Sequence, residues 1–388
     1  IPGGMDIQQY VGVMNMALNA LRPVTDLVAS VRGGHSLADA DWNMLASYSW
    51  GQDGGRVLGE ASLFDTATLL ATACPSTLPI EKSRLEMLAL TAWLQDEDRD
   101  ETLAPELSGT LNSVLADKDL TAANINSFLY NSDAMIVLLG GEGEQREQLA
   151  EQLQALALSV HENPATTVLV RLDALFAWQD AQLALLDEGA QLPEDKQRWL
   201  YTETENTRES LNSYQQQDAI NTVSQMYYQA GLVPEARDAL TYGMEVSKQP
   251  YYFMSSMGHM ERLEGNDTVA LKWYRKAWEA SSGGATRVQW GTNYVLALLK
   301  LSPDDLAAID EASNTVLSEL AAQDSGLRHR SVMRMNLLSS DLLEWGGDDG
   351  ARQQVLARLR AQMEGICARV SGDVPETCDS FLQLPQAA

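Results

Sequence analysis

The chain has 388 residues, enough to bury a sizeable core either in two or three ordinary domains or in one long helical array. Hydrophobic residues make up 45% of it and nine are tryptophan, which excludes wholesale disorder. Its 54 acidic side chains outnumber the 27 basic ones, and the formal net charge of −27 repels phosphate backbones, so we expect no nucleic acid. The charge fits a basic protein or peptide partner, and a solvated acidic surface without a specific partner is the alternative.

The first 21 residues combine a turn with an amphipathic segment. An Ile-Pro-Gly-Gly turn at residues 1–4 precedes residues 5–21, where apolar side chains recur at helical spacing. Such a turn followed by Asp6 and Tyr10 is similar to the closing strand, turn and last helix of thioredoxin-like domains. The resemblance implies that this chain is the helical region after a thioredoxin-like domain in an exported bacterial protein. An ordinary N-terminal helix is the alternative.

From residue 22 to residue 213 the sequence alternates predicted helices with helix-breaking residues. Helical periodicity is interrupted by Gly, Pro or Asn, and Ser36 is the predicted N-cap of the first helix. Sustained strand-like alternation is missing, because the apolar stretches 135–139 and 166–170 are short enough to be helix ends. We therefore predict an N-terminal helical region over 1–190, with a boundary near 189–195. The predicted helices span 36–50, 63–73, 81–94, 102–116, 122–130, 144–158, 166–186 and 193–213.

A repeat with a period of 34 residues follows, in units 217–250 and 251–284. Positions 8, 15, 20 and 27 of both units hold small residues, and position 24 holds a large one. Small side chains let two antiparallel helices approach closely, and the glycine at position 15 suits the turn between them. The matched pairs are Ser224 and Gly258, Gly231 and Gly265, Ala236 and Ala270, Leu240 and Tyr274, and Gly243 and Ala277.

This repeat resembles the tetratricopeptide repeat (TPR) family. The first unit departs from the family pattern at Ser224 and Leu240, where the family usually has Gly and an aromatic residue, and the second departs at Glu261, where the family usually has an aromatic residue and the first unit has Tyr227. The residues that match the family in the second unit are Gly258, Gly265, Ala270, Tyr274 and Ala277. The resemblance implies an all-α fold, an α-solenoid of antiparallel helix pairs, with a TPR-like region over 191–388.

In the TPR family, positions 2, 5, 9 and 12 of each first helix line a groove that receives a peptide or partner segment. We therefore predict a non-catalytic scaffold that binds a protein or peptide through these positions; a solvated surface without a ligand is the alternative. The predicted groove residues are Asp218, Asn221, Gln225, Tyr228, Tyr252, Ser255, His259 and Arg262.

The motifs of common enzymes are missing from the sequence. It contains no nucleophile elbow, Walker loop, dinucleotide fingerprint or His-Glu-x-x-His, so we predict no catalytic residues and no cofactor. The aspartates at 96, 98 and 100 resemble the start of a calcium loop, but Glu101 and Leu107 stand where that loop needs Gly and Glu. No apolar run approaches the roughly 18 residues that cross a bilayer, so we predict no membrane insertion.

A methionine and histidine cluster gives the alternative function, copper or other metal handling, because thioether sulfur and imidazole suit Cu(I). The cluster consists of Met254, Met257, His259 and Met260. The repeat register opposes this interpretation, since it places Met254 and Met257 in the core and His259 in the groove.

After the repeats, helices are predicted over 288–301, 304–320, 328–345 and 351–370, followed by an irregular tail. Cys367 and Cys378 are separated by ten residues that include Gly and Pro, so a loop can close between them. In an oxidising compartment they would form a stabilising disulfide, and a redox-active pair is the alternative. Cys74 is predicted to be a buried or idle thiol. We expect a periplasmic or otherwise extracytoplasmic location in bacteria.

Overall fold

The computed structural model describes residues 22–50, 55–323, 330–369 and 377–383, together with Val11 and Leu327. Every regular element in these ranges is a helix, and none of their residues forms a strand. Helices that are neighbours in the sequence pack against each other in pairs. The predicted all-α fold of paired helices, consistent with an α-solenoid, is therefore confirmed for this part of the chain.

The predictions for the N-terminus cannot be compared with the structure. The turn at residues 1–4 and the segment 5–21, on which the resemblance to thioredoxin-like domains rests, lie outside the described residues apart from Val11.

The chain forms two compact units. The first comprises the described residues up to Thr222 together with Gln229–Gly231, and the second comprises Val223–Tyr228 and the described residues from Leu232 onward. The division falls within one helix, and the boundary near residues 189–195 stays a prediction.

The first unit is a series of helices with short connections. Its buried apolar residues form one cluster around Trp42 and another around Trp93. The helices are α1 (Val24–Arg32), α2 (Asp39–Ser47), α3 (Leu63–Ala73), α4 (Pro79–Gln95), a 3-10 turn (Glu101–Leu103), α5 (Ala104–Ala116), α6 (Lys118–Ala123), α7 (Ile125–Leu139), α8 (Glu144–Glu162), α9 (Val168–Leu183), α10 (Glu194–Arg208) and the first part of α11 (Ser213–Ala230).

The helix predicted over 122–130 is wrong, because two helices meet there. Asp117 caps α6, since its carboxylate accepts hydrogen bonds from the backbone N–H groups of Asp119 and Leu120, at 2.9 and 3.1 Å. Helix α7 then runs on to Leu139 and bends at Asn131, where φ is −139°. The strand-like stretch 135–139 is thus the end of a helix.

The N-cap prediction at Ser36 is also wrong. Helix α2 begins at Asp39, and the Asp41 carboxylate accepts a hydrogen bond from the backbone N–H of Ala38 at 3.4 Å. An acidic residue in the first turn satisfies a backbone donor that lacks a partner within the helix, and the N-cap lies two residues later than predicted, at Ala38.

The second unit contains the second repeat, most of the first repeat and two further helix pairs. Its helices are α12 (Val233–Val246), α13 (Tyr251–Leu263), α14 (Asp267–Ala280), α15 (Gly284–Leu301), α16 (Leu306–Ala321), α17 (Arg330–Gly346), α18 (Gly350–Cys367) and the short α19 (Thr377–Ser380). The last part of α11 pairs with α12, α13 with α14, α15 with α16, and α17 with α18.

Small residues let the paired helices approach closely. Ser224 Oγ of α11 donates a hydrogen bond to the Ala236 carbonyl of α12 at 3.1 Å. A Cβ at Gly258 of α13 would lie 3.2 Å from both the Ala270 carbonyl oxygen and the Tyr274 ring of α14. The turn glycines of the two units, Gly231 and Gly265, have φ of +92° and +75°, which favours glycine. These contacts are the physical basis of the 34-residue pattern.

The two repeats also pack on each other at one close point. A Cβ on Gly243 of α12 would lie 2.8 Å from the Phe253 ring of α13. Phe253 itself is buried. Position 27 must therefore stay small because the next unit places a ring against it.

The C-terminal segment closes against the last helix pair. A disulfide joins Cys367 at the end of α18 to Cys378 in α19, with the Cα atoms 5.8 Å apart. Phe381 and Leu382, which follow α19, are buried in the apolar core of the second unit. The backbone N–H of Leu382 donates a hydrogen bond to Ser339 Oγ of α17 at 2.8 Å.

Candidate functional site

Helix α13 divides sharply into a buried face and an exposed face. Tyr251, Phe253, Met257 and Met260 are buried. Tyr252, at 43% exposure, lies on the opposite side. This division leaves one side of the helix largely open to solvent.

The eight predicted groove residues occupy exposed or half-buried positions on α11 and α13. Asp218 and Asn221 belong to the first unit and the other six to the second. Burial raises the pKa of the Asp218 carboxyl group. The exposed residues are Asp218, Asn221, Gln225, Tyr252 and His259, and the half-buried ones are Tyr228, Ser255 and Arg262. We call the six members in the second unit, Gln225, Tyr228, Tyr252, Ser255, His259 and Arg262, the second-unit groove.

Tyr228 connects the two helices of the groove. Its hydroxyl donates a hydrogen bond to Glu264 Oε1, just beyond the end of α13, at 2.9 Å. Burial, together with the hydrogen bond to the Glu264 carboxylate and its charge, raises the pKa of Tyr228 to about 12. The phenol therefore remains protonated, and its one donor is already in use.

Arg262 and His259 form the polar centre of the groove. Arg262 Nη2 lies 3.3 Å from His259 Nδ1. Because a guanidinium can only donate, Nδ1 accepts this hydrogen bond, and the proton of the neutral imidazole lies on Nε2. Burial lowers the pKa of His259, and the Arg262 charge lowers it further. At neutral pH the imidazole is neutral and presents an N–H donor.

An aromatic cluster borders the groove at the start of α13. The ring centroids of Tyr252 and Trp290, which belongs to α15, are 5.4 Å apart in an edge-to-face arrangement, and those of Tyr251 and Trp290 are 5.5 Å apart. Trp290 is only 6% exposed, and its indole Nε1 has no hydrogen-bond partner among the described residues. An aromatic donor without an acceptor thus lies beside the exposed Tyr252 ring.

A buried ion pair stabilises the underside of the site. Glu261, only 6% exposed, accepts hydrogen bonds from the Arg237 guanidinium of α12 and, at 2.9 Å, from Asn266 Nδ2. The hydrogen bond from Arg237 lowers the pKa of Glu261, and that from Asn266 adds to the effect. The acidic residue that departs from the family pattern is therefore a link between consecutive repeats. In the sequence, this pair is indicated by the basic residue at position 21 of the preceding unit, Arg237.

The methionine and histidine cluster is divided between two environments. Met254 packs against the apolar core, Met257 and Met260 are buried, and His259 is exposed. Among the described residues, no group of three or more His, Cys, Asp or Glu side chains is placed to hold a metal ion. The metal-handling alternative stays a prediction.

Comparison with known proteins finds no matching family profile and no matching curated protein. None of the helices in the described ranges combines the length and apolar character that crossing a bilayer requires.

Proposed function

We propose that the second unit is a non-catalytic helical-repeat scaffold that binds an extended segment of a protein or peptide partner through the second-unit groove. We also propose that its repeats are of the TPR type. The close approach at Gly258 and the positive φ of Gly231 and Gly265 support that assignment.

The exposed face of α13 is the observation that carries the proposal. Aromatic, hydroxyl, imidazole and guanidinium groups are aligned along it, while the opposite face fills the core. Such groups suit an extended backbone, because they supply both flat apolar contact and hydrogen bonds. The prediction of a basic partner rests on the charge of the whole chain, and no described contact bears on it.

Peptide capture tests this proposal directly. Random linear peptides displayed on phage would be selected on the wild-type chain, and the affinity of recovered peptides measured by calorimetry. Replacing Tyr228, Tyr252 and Arg262 together by Ala should abolish binding, because the change removes two aromatic contacts and the central cation.

A matched variant supplies the control. Replacing Tyr214, Tyr242 and Arg275 by Ala changes the same residue types outside the groove; each is exposed. We expect this variant to bind like the wild type. Failure to recover any peptide, or equal binding by the groove variant with its helical circular dichroism intact, would refute the proposal.

We propose further that the chain belongs to an exported thioredoxin-like protein and reaches an extracytoplasmic compartment. The disulfide between Cys367 and Cys378 supports this, because disulfides persist mainly in oxidising compartments. Thiol titration of protein recovered from its native compartment should detect only the buried Cys74 after unfolding. Three reactive thiols would contradict this location.

A further inference from the structure

Arg262 lies in the second-unit groove without a carboxylate partner. Five other arginines of the second unit form ion pairs, including the exposed Arg275, whose Nε lies 2.9 Å from Glu279 Oε1. The five are Arg237, Arg275, Arg287, Arg352 and Arg358. Among the described residues, Arg262 makes no ion pair, and Arg330, Arg334, Arg360 and Arg369, which lie outside the groove, make none either. Arg262 is therefore the unpaired cation of the groove.

The groups around Arg262 leave most of its donors unused. A guanidinium carries five N–H donors, and His259 Nδ1 accepts one of them at 3.3 Å. Arg262 also lies beside the Tyr274 hydroxyl, because its charge opposes the burial that raises the pKa of Tyr274. These neutral contacts orient the guanidinium without neutralising it.

A second donor lies beside Arg262. His259 presents an Nε2–H, because its Nδ1 accepts from the guanidinium. The carboxylate of Glu264 accepts from Tyr228, and Gln225 and Ser255 can both donate and accept. Arg262 and His259 are therefore the groove groups that require acceptors from a ligand.

We propose that the second-unit groove selects an extended segment with an acidic side chain, Asp or Glu, and that Arg262 pairs with that carboxylate. This inference rests on the proposed peptide-binding function. The fork of a guanidinium matches a carboxylate in a bidentate pair, and His259 Nε2–H supplies a further donor at the same end of α13. The unpaired charge of Arg262 thus favours a ligand opposite in sign to the one that the net charge of the chain suggests.

A peptide selection tests the charge of the ligand separately from binding itself. Peptides recovered on the wild-type chain should be enriched in Asp and Glu. For a recovered peptide, Arg262→Gln should weaken binding about tenfold, as expected for a charge-assisted pair. Arg262→Lys should restore part of the affinity, because it keeps the charge but loses the fork. Arg275→Gln removes an exposed cation outside the groove and should leave affinity unchanged.

A double-substitution cycle locates the contact. Changing the acidic residue of the peptide to its amide should weaken binding to the wild type but have little added effect on Arg262→Gln. Peptides that bind in the groove without acidic enrichment, or with Lys and Arg enrichment, would overturn this inference while leaving the proposed function standing. Unchanged affinity of Arg262→Gln, with its thermal unfolding unaltered, would overturn it as well. Recovery of no peptide at all would refute the proposed function itself.

Discussion

Glu261 is a charged residue placed where the repeat pattern calls for an aromatic one. It stays charged because the Arg237 guanidinium and Asn266 amide donate to its two oxygens. A buried carboxylate without such partners would be strongly destabilising, whereas a paired one is tolerated. The pair therefore fixes the register between two repeats by a specific contact rather than by apolar packing.

We predict that Glu261→Gln lowers the free energy of unfolding by about 1–3 kcal/mol at pH 7, because Arg237 then loses its counter-charge. Urea denaturation measures this. Glu279→Gln, at an exposed pair, is the control and should cost less than about 0.5 kcal/mol. Equal losses for the two variants would contradict the structural role of Glu261.

The stability difference between the wild type and Glu261→Gln should depend on pH, because the pKa of Glu261 is lowered in the folded state. The carboxylate is favoured in the folded state, so its contribution is complete above the unfolded pKa of about 4.3 and is lost as the pH falls through the lower folded pKa. The gap between the wild type and Glu261→Gln should thus close only in acid. A gap that stays constant down to pH 3 would be inconsistent with this assignment.

At the scale of elements, the helix pairs are stabilised by close approach at a few small residues. Gly243 in α12 is the tightest case between the two repeats, because the Phe253 ring fills the space where a side chain would begin. Gly365, in α18, has nothing within 4 Å of the same point. A side chain at position 243 therefore collides with Phe253, whereas one at position 365 has free space.

Alanine at these two positions should change stability in opposite directions. We predict that Gly243→Ala destabilises the second unit by about 1–3 kcal/mol, because Phe253 must move. Gly365→Ala should stabilise it by up to about 1 kcal/mol, because alanine favours the helix. Calorimetric melting of both variants decides this, and stabilisation by Gly243→Ala would show that the ring does not constrain the position.

Sequence periodicity predicted the helices well where one apolar face runs without interruption. Residues 63–73 form a helix with the predicted bounds, since Ser62 caps it by accepting a hydrogen bond from the Asp65 N–H at 2.9 Å. Other features depend on contacts that a local pattern does not record. The partners Arg237 and Glu261 lie 24 residues apart, and the division between the units falls inside α11, where helical periodicity continues unchanged.

For the groove residues, too, the sequence pattern predicted exposure but not contacts between residues distant in sequence. The repeat register placed His259 and Tyr252 on the exposed side of α13, as the structure has them. It gave no reason to expect Trp290 beside Tyr252, because that contact joins helices from different pairs. Which arginines lack an acidic partner was equally unpredictable, since pairing depends on neighbours distant in sequence.

At the scale of the whole molecule, the net charge of −27 is the dominant property. Like charges across a folded chain repel each other and favour expansion, and salt screens them. The cations that remain unpaired, such as Arg262, therefore lie in a predominantly negative field.

We predict that the melting temperature rises by several degrees when NaCl is raised from about 0.01 M to about 0.15 M, because the screening length falls from about 30 Å to about 8 Å. Differential scanning calorimetry measures the change. The rise should level off at higher salt if screening causes it. A linear rise continuing to about 1 M would instead indicate general ion exclusion, and no rise would mean that self-repulsion is unimportant.

The disulfide has a consequence for how the short helix α19 can leave the core. Phe381 and Leu382, which follow α19, are buried in the apolar core of the second unit, and the bond from Cys367 to Cys378 ties α19 to the end of α18. These residues therefore cannot move far from the core unless α18 moves with them or the disulfide is reduced.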